Sequence, residues 1–175
     1  MKLLNIRLEN FRQHQLTQVD FTEGLVGVIG ANGAGKSTIV EALTFAMYGS
    51  KALRGKVSDA KTYGLPAKAV TSIHLSFDHG GQVYRIERTL TNARLFLGGE
   101  SSPIVVGNQA VATRSEEILG LNLDEFLASY YTEQKSLEFL SGKRSPAERE
   151  KFIAKMLGYD KLEKVQQAVR EVGVI

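Results

Sequence analysis

One eight-residue run constrains this chain more than any other feature: Gly30-Ala31-Asn32-Gly33-Ala34-Gly35-Lys36-Ser37. It fits G-x-x-x-x-G-K-[ST] in full, after an apolar segment and before a helical pattern. Glycines let the backbone turn back on itself and aim several N–H groups at one point. Those donors stand at a helix N-terminus, where aligned peptide dipoles favour an anion. Lys36 adds a full positive charge for the β- and γ-phosphates. Ser37 offers a hydroxyl to Mg²⁺, which prefers hard oxygen ligands. The run predicts a nucleoside triphosphate held by Asn32, Gly33, Ala34, Gly35, Lys36, Ser37 and Thr38. The alternative is a glycine-rich structural turn, and the strand-then-helix context argues against it.

The flanks predict the scaffold. Residues 25–29 form a continuous apolar run, the pattern of a strand buried on both faces. Ile39, Val40, Leu43 and Met47 recur at helical spacing between Lys36 and Tyr48, and Gly49 ends that helix. Residues 2–8 and 15–21 read as two strands joined through Asn10-Phe11-Arg12-Gln13-His14. Further on, Ile73, Leu75 and Phe77 alternate, His79-Gly80-Gly81 makes a turn, and residues 83–90 return as a strand. Shorter strands are expected at 94–97 and 103–106, giving an antiparallel sheet separate from the buried strand. Helices are expected at 111–119 and 123–130, divided by Gly120. Ser145-Pro146-Ala147-Glu148 is a helix-start signature, and Phe152, Ile153, Met156 and Leu157 supply an apolar stripe. Leu162, Val165, Val169 and Val172 then follow coiled-coil spacing for about two heptads.

Composition narrows the class. At 175 residues, 43% apolar and 23% charged, the chain reads as a soluble globular protein. No apolar run approaches the ~18 residues that span a bilayer, and the opening residues lack the apolar core of a signal peptide. With no cysteine, thiol chemistry and Cys-ligated zinc are excluded, so a cytoplasmic setting is expected. The net charge of +3 identifies no partner. Between residues 51 and 70, however, Lys51, Arg54, Lys56, Lys61 and Lys68 stand against the single acid Asp59. That segment reads either as a phosphate-meeting surface or as a solvated basic loop.

Hydrolysis at such a loop needs an acid to hold Mg²⁺ and polarise water. The apolar run ending in Asp78 alternates like a strand with one exposed face, and Asp124-Glu125 lies in a helical context. The catalytic acid is therefore expected outside this chain. Leu140-Ser141-Gly142-Lys143 reads as a helix terminus rather than an ABC-type signature loop.

Several pieces in order resemble a known family. Leu8-Glu9-Asn10-Phe11-Arg12-Gln13-His14 is similar to its opening, and the run from Gly30 to Thr38 with Glu41-Ala42-Leu43 to its phosphate loop and following helix. Ile118-Leu119-Gly120-Leu121 through Phe126, then Tyr130, Gln134 and Phe139-Leu140, resembles its approach to a Q-loop. Arg149 with Leu157-Gly158-Tyr159 resembles its entry to a coiled coil. The family is SbcC/Rad-fifty, the ATPases of DNA double-strand-break processing within the SMC-like ABC group.

The resemblance implies an α/β fold: a P-loop ABC-type half-head with a mixed sheet around the phosphate-loop helix. An antiparallel region and a helical part leading into a coiled coil complete it. The implied divisions are a nucleotide-binding lobe over 1–110, a helical Q-loop region over 111–157 and a coiled-coil start over 158–175. It implies ATP rather than GTP, which the residues alone leave open, together with Mg²⁺. Arg12 would reach the phosphates; the alternative is an exposed surface arginine. Gln134 would touch Mg²⁺ or the attacking water, although Lys135 stands where the family often has a small residue. Thr62 and Tyr63 would lie near the adenine. Implied partners are the chain's own C-terminal ATPase lobe, a second head in a dimer, an SbcD/Mre-type nuclease and double-stranded DNA. Localisation would be cytoplasmic and nucleoid-associated. Residues 145–172 are candidates for docking the nuclease or for pairing with the other strand of the coil. A nucleotide-dependent DNA clamp with secondary hydrolysis remains the competing reading.

Overall fold

A computed structural model describes residues 1–66 and 68–129, together with Ser145, Ala147, Val169 and Arg170. The period-2 alternation of the N-terminal half folds into one six-stranded sheet. Strands β1 (Lys2–Phe11) and β2 (His14–Asp20) form a hairpin, and β3 (Ser72–His79), β4 (Gln82–Thr89), β5 (Ala93–Leu97) and β6 (Val105–Val106) continue it. The order across the sheet is β2-β1-β3-β4-β5-β6. The strand expected at 2–8 runs on to Phe11 and the one expected at 15–21 sits one residue earlier, leaving only Arg12 and Gln13 between them.

Register puts one row of apolar side chains across four strands: Ile6 faces Leu75, Leu75 faces Ile86, and Ile86 faces Leu95. All four are fully buried. Each such aliphatic side chain contributes ~1.5–3 kcal/mol relative to an exposed position. The opposite face carries the charged row Arg7, His74, Glu87 and Arg94. On it, Arg7 pairs with Glu9, a hydrogen bond that holds the Glu9 carboxyl below its ordinary range.

Helix α1 (Lys36–Tyr48) lies against the apolar face, and Ile39 and the residues from Glu41 to Tyr48 are buried. Phe45 stacks on Phe11 with ring centroids 5.9 Å apart. Two short 3-10 turns follow, Gly49–Ala52 and Val57–Ala60. Helix α2 (Asn108–Leu119) packs on α1, β5 and β6 and ends at Gly120 in a left-handed cap. The compact unit runs from Met1 to Leu123. The second unit, Asp124–Ile175, takes in most of α3 (Leu123–Ser129), whose first turn carries Asp124 and Glu125. Ala147, Val169 and Arg170 are helical.

Two expectations need correction. Residues 25–29 belong to no strand; Leu25 is 101% and Ile29 96% exposed. A strand buried on both faces needs a ladder partner on each side. Here β1 is already flanked by β2 and β3, so it offers that run no vacant edge. In consequence the sheet is not mixed: every ladder among the described strands is antiparallel. The antiparallel strands β3 to β6 continue the N-terminal hairpin, with β3 paired directly to β1.

One charged side chain sits in the core. Arg88 on β4 is 1% exposed and lies in register with Ile73 and Ala93. Its Nε donates to the Ala46 carbonyl at 2.8 Å and its Nη1 to Asn108 Oδ1 at 3.1 Å. Burial pulls its pKa down to about 10. The guanidinium joins the end of α1 to the start of α2.

Candidate functional site

The start of α1 is arranged to receive an anion. Gly35 occupies the N-cap position with φ 97°, contributes no side-chain cap, and no acid lies in the first turn. The Thr38 N–H of that turn bonds to the Gly35 carbonyl at 2.9 Å, whereas the N–H groups of Lys36 and Ser37 have no carbonyl one turn back to meet. Residues 31–34 and Ser37 are exposed, so the loop opens to solvent. Lys36 folds back along its own loop, its Nζ donating to the carbonyls of Gly30 at 2.8 Å and Ala31 at 2.7 Å. That places the ammonium over the mouth of the loop without a carboxylate partner among the described residues.

The β1–β2 turn grips the loop from the side. Gln13 Nε2 donates to the Gly33 carbonyl at 3.4 Å, and Gln13 Oε1 accepts from Thr38 Oγ1 at 3.3 Å. His14 Nε2 lies 3.2 Å from the Gly35 carbonyl, and its Nδ1 2.8 Å from Thr17 Oγ1. The approach is so close that a Cβ on Gly35 would stand 2.4 Å from His14 Nε2. Any residue but glycine there meets both a clash and an unfavourable φ.

Arg12, also at positive φ, is not the exposed surface arginine of the alternative reading: its side chain is 19% exposed. Its Nη2 meets Glu41 Oε1 at 2.6 Å and the Arg54 carbonyl at 2.5 Å, and its Nη1 the Asp59 carbonyl at 2.9 Å. Backbone bonds from Arg12 N to Ala60 O and from Thr62 N to Asn10 O add to this stitching. The structure therefore brings Arg12, Thr62 and the residues from Gly33 to Thr38 to one turn. Asn32 is exposed on the loop, and Tyr63 is fully exposed beside Thr62. Gln134 lies outside the described residues, as do Lys135, the 140–143 loop, the 152–157 stripe and most of the coiled-coil positions.

Sequence reasoning did not single out Gln13, His14 or Glu41 as site residues. The hairpin spacing that seats 12–14 beside the loop was visible, but nothing local said which face of the loop the turn would meet.

A family model described as an AAA domain matches residues 5–172. The DNA double-strand break repair Rad50 ATPase of Methanocaldococcus jannaschii is 35% identical over 98% of this chain and 17% of its own length. The SbcC component of the nuclease SbcCD from Deinococcus radiodurans is 31% identical over 95% of this chain and 19% of its own. The chain belongs to the AAA-domain family, in its Rad50/SbcC branch. It thus spans under a fifth of the length of these curated relatives. Among solved structures, one from work on ATP-driven dimerization and DNA-stimulated activation of SMC ATPases superposes with a TM-score of 0.61 at 20% identity. That match covers 87% of this chain and 98% of the other, and supports the half-head fold. Among the described residues of this AAA domain, no helix is long and apolar enough to cross a membrane.

Proposed function

We propose that this chain is the ATP-binding N-terminal half of a DNA-repair ATPase head, operating in the cytoplasm. The observation that carries the reading is the bare N-terminus of α1, with exposed loop amides and Lys36 Nζ folded over the loop mouth. A triphosphate would replace the Gly30 and Ala31 carbonyls as the partner of Lys36. Ser37, an exposed hydroxyl at that terminus, fits Mg²⁺ as one hard oxygen donor beside the phosphates. The cation would offset phosphate charge; the chain's own groups bind and orient. Arg12 would add a cation beside the phosphates, Thr62 and Tyr63 would border the base, and Gln134 would approach the metal or water.

Catalysis would require the C-terminal lobe and a second head closing on the nucleotide. Support comes from residues 25–29, an exposed apolar run that leads straight into the loop and lacks ladder partners here. Strands from the other lobe would cover it. The relatives' names, a DNA double-strand break repair ATPase and a component of the nuclease SbcCD, favour double-stranded DNA and an SbcD-type nuclease as partners. The test is titration of the chain with a fluorescent ATP analogue and Mg²⁺. Lys36→Ala should weaken binding about 100-fold, the loss of a charge-assisted contact worth roughly 2–3 kcal/mol. Unchanged affinity would refute the reading.

A further inference from the structure

Glu41 lies four residues beyond Ser37, so both project from one face of α1 with Cβ atoms about 5–6 Å apart. It is a carboxylate that the nucleotide reading leaves without a task. Its side chain is 8% exposed, a costly position for a charge without partners. Two donors converge on the same oxygen: Arg12 Nη2 at 2.6 Å and the Arg54 backbone N–H at 2.9 Å. Arg12 in turn binds the carbonyls of Arg54 and Asp59. Glu41 is thus the anchor of a ring that joins α1, the β1–β2 turn and the basic segment after the helix. The next two residues of that turn, Gln13 and His14, hold Gly33, Gly35 and Thr38.

We propose that Glu41 is a positioning residue of the nucleotide site, acting through Arg12. Its carboxylate fixes the guanidinium about one helical turn from Ser37, and so fixes the turn whose side chains shape the phosphate loop. The proposal rests on the nucleotide reading above. Two opposed effects have to be weighed. A carboxylate near a polyphosphate repels it, which alone would make removal of Glu41 tighten binding. Here that charge is already paired with Arg12 at 2.6 Å, so its field at the loop is largely cancelled, and the loss of placement dominates.

The experiment is a double-mutant cycle on the affinity of the chain for a fluorescent ATP analogue with Mg²⁺, using Glu41→Gln, Arg12→Gln and the pair. Glu41→Gln keeps the shape and removes the charge. Alone it should weaken binding roughly fivefold; in the Arg12→Gln background, where the Glu41 carboxylate is left unpaired, it should cause no further loss and should relieve whatever repulsion that charge exerts. Equal losses in both backgrounds would mean Glu41 acts as general scaffold and would overturn the proposal. So would unchanged or tighter binding by Glu41→Gln. If that variant does not fold, Arg12→Lys replaces it: the charge stays but the planar fork that spans Glu41, Arg54 and Asp59 is lost. It should weaken binding as much, and wild-type affinity from it would also overturn the proposal. Absence of binding by the unmodified chain would take down the nucleotide reading itself, a result distinct from any of these.

Discussion

At the start of α1 the backbone is bare: glycine at the cap, no acid in the first turn, and an exposed loop. At its end the Ala46 carbonyl is taken by Arg88, the Gly49 N–H bonds to the Phe45 carbonyl, and the Tyr48 hydroxyl donates to the Leu121 carbonyl at 3.1 Å. Both ends use an arginine from the sheet or its turns. Arg12 reaches the helix through a carboxylate and remains partly exposed, whereas Arg88 meets only neutral oxygens and is buried. The contrast separates two uses of polar groups. The closed end satisfies its carbonyls internally and serves stability. The open end leaves its donors to water, which the proposed anion would replace.

Breaking the closed end should have the largest effect on folding. Arg88→Met strands the Ala46 carbonyl and Asn108, and should cost about 3 kcal/mol in denaturant unfolding. Nucleotide affinity of the folded fraction should stay within about twofold. An affinity that falls in step with stability would erase the distinction between the two ends. Gly35→Ala tests the other side. Its Cβ would meet His14 and Gln13 at 2.4 and 2.7 Å, so it should cost about 2 kcal/mol of stability. It should also weaken nucleotide binding more than tenfold, by forcing the turn off the loop. Wild-type binding would show that the grip of Gln13 and His14 is incidental.

The smallest effect belongs to the solvent face of the sheet. The Glu9 carboxyl is held below its ordinary 4.5, chiefly by the hydrogen bond from Arg7. A depressed carboxyl contributes stability above its unfolded value and loses it as pH falls through the folded one. Arg7→Gln should therefore cost under ~0.5 kcal/mol at neutral pH, discounted for exposure, and nothing in strong acid. Equal losses at both pH values, measured by denaturant unfolding, would mean that Arg7 acts by packing.

Local pattern carried much of the fold. The alternation of Ile73, Leu75 and Phe77 and the helical spacing from Ile39 to Met47 both reappear in the structure, because each reports a period that the backbone imposes on its own neighbours. The glycine-rich loop was equally legible as a motif, since its pattern rests on consecutive residues. Residues 25–29 failed for the complementary reason. An apolar run states a demand for ladder partners, but the run itself does not encode which distant segment supplies them.

What the sequence by itself determined was the set of local devices: two hairpins, one glycine-rich loop and a helix with a lysine at its first position. Tertiary structure alone decided that Arg12 meets Glu41, that Gln13 and His14 bear on Gly33 and Gly35, and that Arg88 runs inward to Ala46. Those contacts join residues 20 to 42 positions apart. No residue's own periodicity encodes such a partner; it follows from strand order and from which face of the sheet covers the helix.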